Sequence, residues 1–257
     1  LLTMTYVIAQ PYLRSSHILP EFGLRAPARH FPRPRSSPTT ASKRERLPMS
    51  HITLIRHGQA NSGATDEESY DRLSPLGFQQ AAWLGAHMRD TGQHHMRLYT
   101  GTLRRHIETA DAMETGLTPI RDARLNELEY FNLAAALRDE QGIPIPTEQV
   151  EFTAHLPRVF AAWQNGEIVN VPETFEQFET RVSEALTEIA AGDGPALVIT
   201  SGGLISMAMR QHMGLDIRAM ANLQHRLFPV GGTWSPVLFN AVPHLEHPDR
   251  HHAQTHV

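Results

Sequence analysis

Residues 51–58 read His51-Ile52-Thr53-Leu54-Ile55-Arg56-His57-Gly58, a short apolar run that stops at an arginine, a histidine and a glycine. Four to five apolar, β-branched residues bounded by a glycine predict a buried strand, with Arg56 and His57 at its carboxyl end. Downstream, Ser74 stands where it can cap a helix from Pro75 to Arg89, with proline in the favoured first helical position. Arg97-Leu98-Tyr99-Thr100 reads as a second strand, Thr102 to Glu114 as a helix ended by Gly116, and Pro119 to Leu125 as extended chain. Helices are predicted from Thr147 to Trp163 and from Glu173 to Ala191. Ala196-Leu197-Val198-Ile199-Thr200 has the character of a buried central strand and runs into Ser201-Gly202-Gly203, with a helix from Leu204 to Met213. Strands near His225 to Val230 and Trp234 to Asn240 close the pattern.

Strands alternating with helices predict an α/β fold: a mostly parallel central sheet with helices on both faces. In such sheets ligands bind beyond the carboxyl ends of the strands. That rule singles out Arg56-His57-Gly58, Thr100-Gly101 and Ser201-Gly202.

Bulk composition narrows the function. The chain has 257 residues and 40% hydrophobic content, enough for a real core. No apolar run approaches the roughly 18 residues of a membrane span, so a membrane partner is not expected. With no cysteine there is no thiolate nucleophile, disulfide framework or cysteine-based zinc site, which fits a reducing, cytoplasmic setting. The net charge of −4 is unevenly spread: residues 1–48 hold eight Lys/Arg against two acidic residues, the remainder 15 against 25. An acidic body makes nucleic acid an unexpected partner.

Residues 1–48 read as a separate piece. Seven prolines break any helical or strand period, and Ser36, Ser37, Thr39, Thr40 and Ser42 add linker character. An arginine-rich targeting segment is one reading. Composition favours a disordered extension, with the folded domain spanning residues 49–257.

Arg56-His57-Gly58 alone is a weak signal. Three further stretches strengthen it: Tyr70-Asp71-Arg72-Leu73-Ser74-Pro75-Leu76-Gly77 followed by Gln79-Gln80-Ala81; Thr102-Leu103-Arg104-Arg105-His106-Ile107-Glu108-Thr109-Ala110; and Arg124-Leu125-Asn126-Glu127. With Leu54-Ile55-Arg56-His57-Gly58-Gln59-Ala60 and the ending Trp234 to Leu245, these resemble the histidine phosphatase superfamily in its phosphoglycerate-mutase-like branch. The resemblance covers Met49 to Glu246.

It implies a phosphomonoester hydrolase acting on a phosphorylated small molecule, with no cofactor and no metal. His57 would be the nucleophile, an imidazole being neutral near pH 7 and able to approach a phosphate. Arg56 and Arg105 would hold the phosphoryl oxygens, and Glu127, partly desolvated, would carry the proton for the leaving group. Arg105 matches the family arginine because it lies four residues before Thr109, leaving Arg104 as a solvated helix residue. Two rivals stand beside this reading: a phosphoglycerate-mutase-type phosphotransferase, and a non-catalytic phospho-ligand binder. A mutase of this kind brings extra basic residues after the acid glutamate. Between Tyr130 and Asn170 there are only Arg138 and Arg158, against Asp139, Glu140, Glu148, Glu151 and Glu167.

One departure stands out. Family members usually place a second histidine after the late strand, where this chain has Ser201 followed by Gly202. A neutral hydroxyl in place of a charged donor should lose about 1–2 kcal/mol, or five- to thirty-fold in rate. His106 or His225 could fold back as a surrogate, and Ser201→His should restore activity if no group already fills the gap. His94-His95 and His251-His252 lack further ligands for a metal. Met207, Met209 and Met213 fall at helical spacing and read as core.

Overall fold

The computed structural model describes residues 6–11, 51–61, 63–146, 149–213 and 234–253. Its strands are β1 (Tyr6–Pro11), β2 (Ile52–Arg56), β3 (Arg97–Thr100), β4 (Pro119–Arg121), β5 (Ala196–Thr200) and β6 (Trp234–Ala241). Its helices are α1 (Glu67–Tyr70), α2 (Pro75–Asp90), α3 (Arg104–Met113), α4 (Tyr130–Gln141), α5 (Gln149–Gln164), α6 (Phe175–Ala191) and α7 (Gly202–Met213). Sheet order is β4-β3-β5-β2-β1-β6. The four strands from β4 to β2 run parallel, while β1 is antiparallel to both β2 and β6.

Side chains on β5 alternate between two cores, as a period of two requires. Ala196 and Val198 join a cluster with Ile52 and Leu54 from β2, lined by Leu133 and Leu137 of α4, Val159 and Trp163 of α5, Phe178 and Val182 of α6, and Leu204 of α7. Leu197 and Ile199 face the other way, with Ile55, Leu98, Leu84 and Met88 of α2, and Ala110 and Met113 of α3. Burial on both faces explains why β2 and β5 read as unbroken apolar runs. Met207 and Met209 are core residues, as the helical spacing predicts.

Helix starts follow local chemistry. Ser74 Oγ accepts from Gly77 N at 3.1 Å and donates to Gln59 Oε1 at 2.7 Å, so the α2 cap is tied to the loop after β2. Thr174 and Gln177 make a reciprocal capping box at α6. The loop after β2 also presses against the first turn of α2. A Cβ on Gly58 would overlap the carbonyl oxygen of Gly77, so only glycine allows this approach.

Three differences from the sequence reading are informative. Residues 1–48 read as disordered on composition, yet Tyr6–Pro11 form a strand between β2 and β6. Tyr6-Val7-Ile8-Ala9 is a short run rich in strand formers whose signal is diluted by the prolines around it. Helix α4 lies in a stretch for which the sequence pattern predicts no helix. Its N-cap, Glu129, makes no side-chain capping bond, so the usual start signal is missing. Pro119 to Leu125 divides into the short strand β4 and a 3₁₀ turn over Ala123–Leu125. The strand expected near His225 to Val230 lies outside the described residues.

Candidate active site

Three strands deliver their carboxyl ends side by side. The ladder continues past β2, His57 N donating to Thr200 O at 2.9 Å, and past β3, Gly101 N donating to Ile199 O at 3.2 Å. Arg56, His57, Thr100, Thr200 and Ser201 are therefore neighbours, and all are buried.

His57 is only 3% exposed. Its Nδ1 lies 2.7 Å from Gly58 O. A carbonyl oxygen can only accept, so Nδ1 carries the proton and Nε2 presents its lone pair. Burial pushes the imidazole well below its ordinary pKa, and the Arg105, Arg56 and His106 charges push the same way, so the ring is neutral near pH 7. No described residue hydrogen-bonds to Nε2.

Two guanidiniums flank this ring. Burial draws Arg56 down to about 10, which leaves it charged at neutral pH, and Tyr70 and Glu127 oppose that shift. Arg105 is held from α3. Asp71 Oδ1 accepts from Arg105 N at 3.2 Å and from Arg105 Nη1 at 3.0 Å, while Asp71 Oδ2 accepts from Arg104 N at 2.9 Å. One carboxylate thus caps α3 and fixes the arginine. Tyr70 sits under Arg105, whose Cζ is 5.0 Å from the ring centroid, and meets the His57 ring edge-on at 6.5 Å. The Nε atoms of Arg56 and Arg105 are both buried with no partner among the described residues. Two buried cations with donors to spare surround a neutral ring, and such a pocket suits an anion.

Glu127 lies across α7. Its Oε2 accepts from Gly203 N at 2.9 Å and its Oε1 from Leu128 N at 3.1 Å. Arg181 holds the backbone beneath it, with Nη1 donating at 2.8 Å to both Arg124 O and Asn126 O. Glu173 in turn pairs with Arg181 Nε at 2.6 Å.

Every residue singled out from sequence thus falls in this region: Arg56, His57, Arg105, Glu127, Ser201 and Gly202, the last beside the Arg56 guanidinium. Arg104 points away, 68% exposed and paired with Glu108. Of the two surrogate histidines, His106 is buried here and His225 lies outside the described residues. Asp71, Tyr70 and Arg181 belong to the site without any role that the sequence alone implies. Asp71 and Tyr70 stand in the Tyr70 to Gly77 motif, but nothing in the residue pattern links Arg181 to Glu127. Among the described residues no group of three or more His, Cys, Asp or Glu could hold a metal, and no helix is long and apolar enough to cross a membrane.

A mixed α/β sheet with basic side chains and a neutral histidine at the carboxyl ends of its parallel strands defines the class. The chain belongs to the histidine phosphatase superfamily (branch 1), whose family model matches residues 52–230. Two solved structures carry the fold likeness. "Mycobacterial hydrolase 2" is 21% identical, with TM-score 0.52, covering 78% of this chain and 94% of its own. A phosphoserine phosphatase mutant (H9A) from Entamoeba histolytica, solved with phosphoserine, is 15% identical, with TM-score 0.52, covering 77% of this chain and 100% of its own.

Proposed function

We propose that this chain hydrolyses phosphomonoesters through a phosphoryl group carried on His57. The observation that carries the reading is the buried pair Arg56 and Arg105, each with an Nε that has no partner among the described residues, beside a neutral His57 whose Nε2 is hydrogen-bonded by no described residue. The phosphoryl group of a small ester would sit against the two guanidiniums. The His57 Nε2 lone pair forms the N–P bond as the ester P–O bond breaks, and the leaving oxygen takes a proton from Glu127. Water then attacks phosphorus and gives its proton to the Glu127 carboxylate. The P–N bond breaks, the electron pair returns to Nε2, and phosphate leaves.

The insertion arginines favour hydrolysis over mutase chemistry. Arg138 is spent on Asp139 at the surface, and Arg158 is exposed, so neither supports a second phosphate site. A non-catalytic binder has no use for a carboxyl held as Glu127 is held. Phosphate release from a generic aryl phosphate tests the reading. Wild type should turn over and His57→Ala should not; equal release by the two would reject it.

A further inference from the structure

The His106 Nε2 atom lies 2.6 Å from Ser201 Oγ, and neither residue is exposed at all. The His106 ring is stacked at a tilt over His57, with centroids 5.6 Å apart. An imidazole from α3 has therefore reached across to the end of β5. We propose that His106 is a positioning residue that fixes the Ser201 hydroxyl as a hydrogen-bond donor to the bound phosphoryl group. The two together would provide the donor that the family's second histidine provides alone. The proposal rests on the phosphoryl-transfer reading above.

The tautomer decides whether this works. In one form Nδ1 carries the proton, Nε2 accepts, and the Ser201 O–H is spent on His106. The hydroxyl then offers a phosphoryl oxygen only lone pairs, which is repulsive. In the other form Nε2–H donates to Ser201 Oγ, and the Ser201 O–H is free to donate to an anion. His106 Nδ1 has no partner among the described residues, and a Cβ on Gly101 would overlap it. Nδ1 faces the Cα of Gly101, and the nearby Asn126 Oδ1 makes no bond to the ring because it already accepts from Thr102 N and Leu103 N, so an N–H there would be a buried donor without a partner. That favours the Nε2–H form. Burial, reinforced by Arg105, pushes the ring well below the ordinary imidazole pKa, so a third proton-bearing state is disfavoured too. Among the described residues His106 is the one hydrogen-bond partner of the Ser201 hydroxyl.

His106 also changes what Ser201→His should do. The space beside Ser201 is already filled by an imidazole, so that substitution overpacks the pocket. The exchange His106→Ala with Ser201→His returns the ring from the opposite side and should recover activity.

Two measurements on the full chain decide the proposal. Nitrogen-15 histidine NMR, with His106 assigned by its loss in His106→Gln, should show the neutral Nε2–H tautomer, and its signal should move when orthovanadate binds. The Nδ1–H form, an imidazolium, or no response to vanadate overturns the proposal, whatever the variants do. In aryl phosphate turnover, His106→Ala and Ser201→Ala should each lower kcat about five- to thirty-fold, and the double variant no further than the worse single. His106→Gln, whose amide N–H can reach Ser201, should keep most of the activity. Folded His106→Ala with unchanged kcat, or losses that multiply, count against it. Phosphoryl label on Ser201 would make His106 a base and overturn it equally. Wild type that releases no phosphate would sink the phosphatase reading, and the tautomer and vanadate response would still judge the His106–Ser201 pair.

Discussion

Asp71 binds Arg105 twice, once at its backbone N–H and once at its guanidinium, so the start of α3 and the orientation of the arginine are one structural unit. Removing that carboxylate should separate stability from ligand affinity. Asp71→Ala is expected to cost about 1 kcal/mol through the lost cap and to weaken vanadate inhibition several-fold as Arg105 loosens. Asp71→Asn keeps an acceptor for the backbone, so it should recover most of the melting temperature and less of the affinity. Thermal unfolding and vanadate titration of both variants check this; equal recovery of the two properties would contradict it.

A quench that avoids acid should trap a labelled phosphoenzyme, because a phosphoramidate hydrolyses at low pH. The label is expected on His57, whose Nδ1–H is fixed by Gly58 O and whose Nε2 is hydrogen-bonded by no described residue. Peptide mapping locates it. An acid-stable adduct would assign the nucleophile elsewhere.

Acid should destabilise the fold. His57 and His106 are buried and held well below the ordinary imidazole value, so they are neutral when folded and protonate more readily when unfolded. Their contribution is fully present above an unfolded pKa of about 6.5 and is lost as pH falls below it, at up to about 1.4 kcal/mol per pH unit for each ring. His244, drawn down to about 3 by burial, adds in the same sense. Glu67 works the other way: burial raises it to about 6, so its contribution is present below the ordinary carboxyl range and is lost as pH rises through that value. Three rings outweigh one carboxyl. Urea unfolding from neutral pH downward should show falling stability, with a shallower slope in His106→Gln; an unchanged slope would exclude His106 as a cause.

Arg181 is expected to matter for catalysis without touching substrate. Arg181→Ala frees the Arg124 and Asn126 carbonyls and leaves Glu173 without its partner. A loss of about 2–3 kcal/mol in stability should follow, with kcat falling more than KM changes as Glu127 drifts. Arg181→Lys, which cannot span both carbonyls and Glu173, should recover stability only in part.

Truncation to Met49 removes β1, and with it the ladders to both β2 and β6. Composition alone makes that truncation silent; the sheet makes it costly. A lower melting temperature is expected, with aryl phosphate turnover retained at low temperature because Arg56, His57, Arg105, Glu127 and Ser201 lie on other elements. An unchanged melting temperature would restore the compositional view.

These contrasts show where sequence information lies. Ile52–Arg56 and Ala196–Thr200 were legible because strands buried on both faces leave continuous apolar runs, and α2 because Ser74 and Pro75 mark its start. Arg56, His57, Arg105 and Glu127 follow from motifs tied to strand ends. The sequence offers His106 only as one of two surrogates for the missing histidine, because its contact with Ser201 spans 95 residues; the Arg181 support spans 55, and one residue type at such a distance leaves no local pattern. Helix α4 lacks a capping signal, and β1 is a six-residue strand among prolines.

The position of β1 bears on how the chain comes off the ribosome. Tyr6 pairs with Ala241, so β1 waits for a partner strand made more than two hundred residues later. Once β2 has emerged, β1 can lie against it, but its outer edge stays open while the rest of the chain is synthesised. An open edge of backbone N–H and C=O groups is a template for pairing with other chains. Nascent chains stalled before Trp234 should therefore be more prone to self-association than chains in which β6 closes that edge.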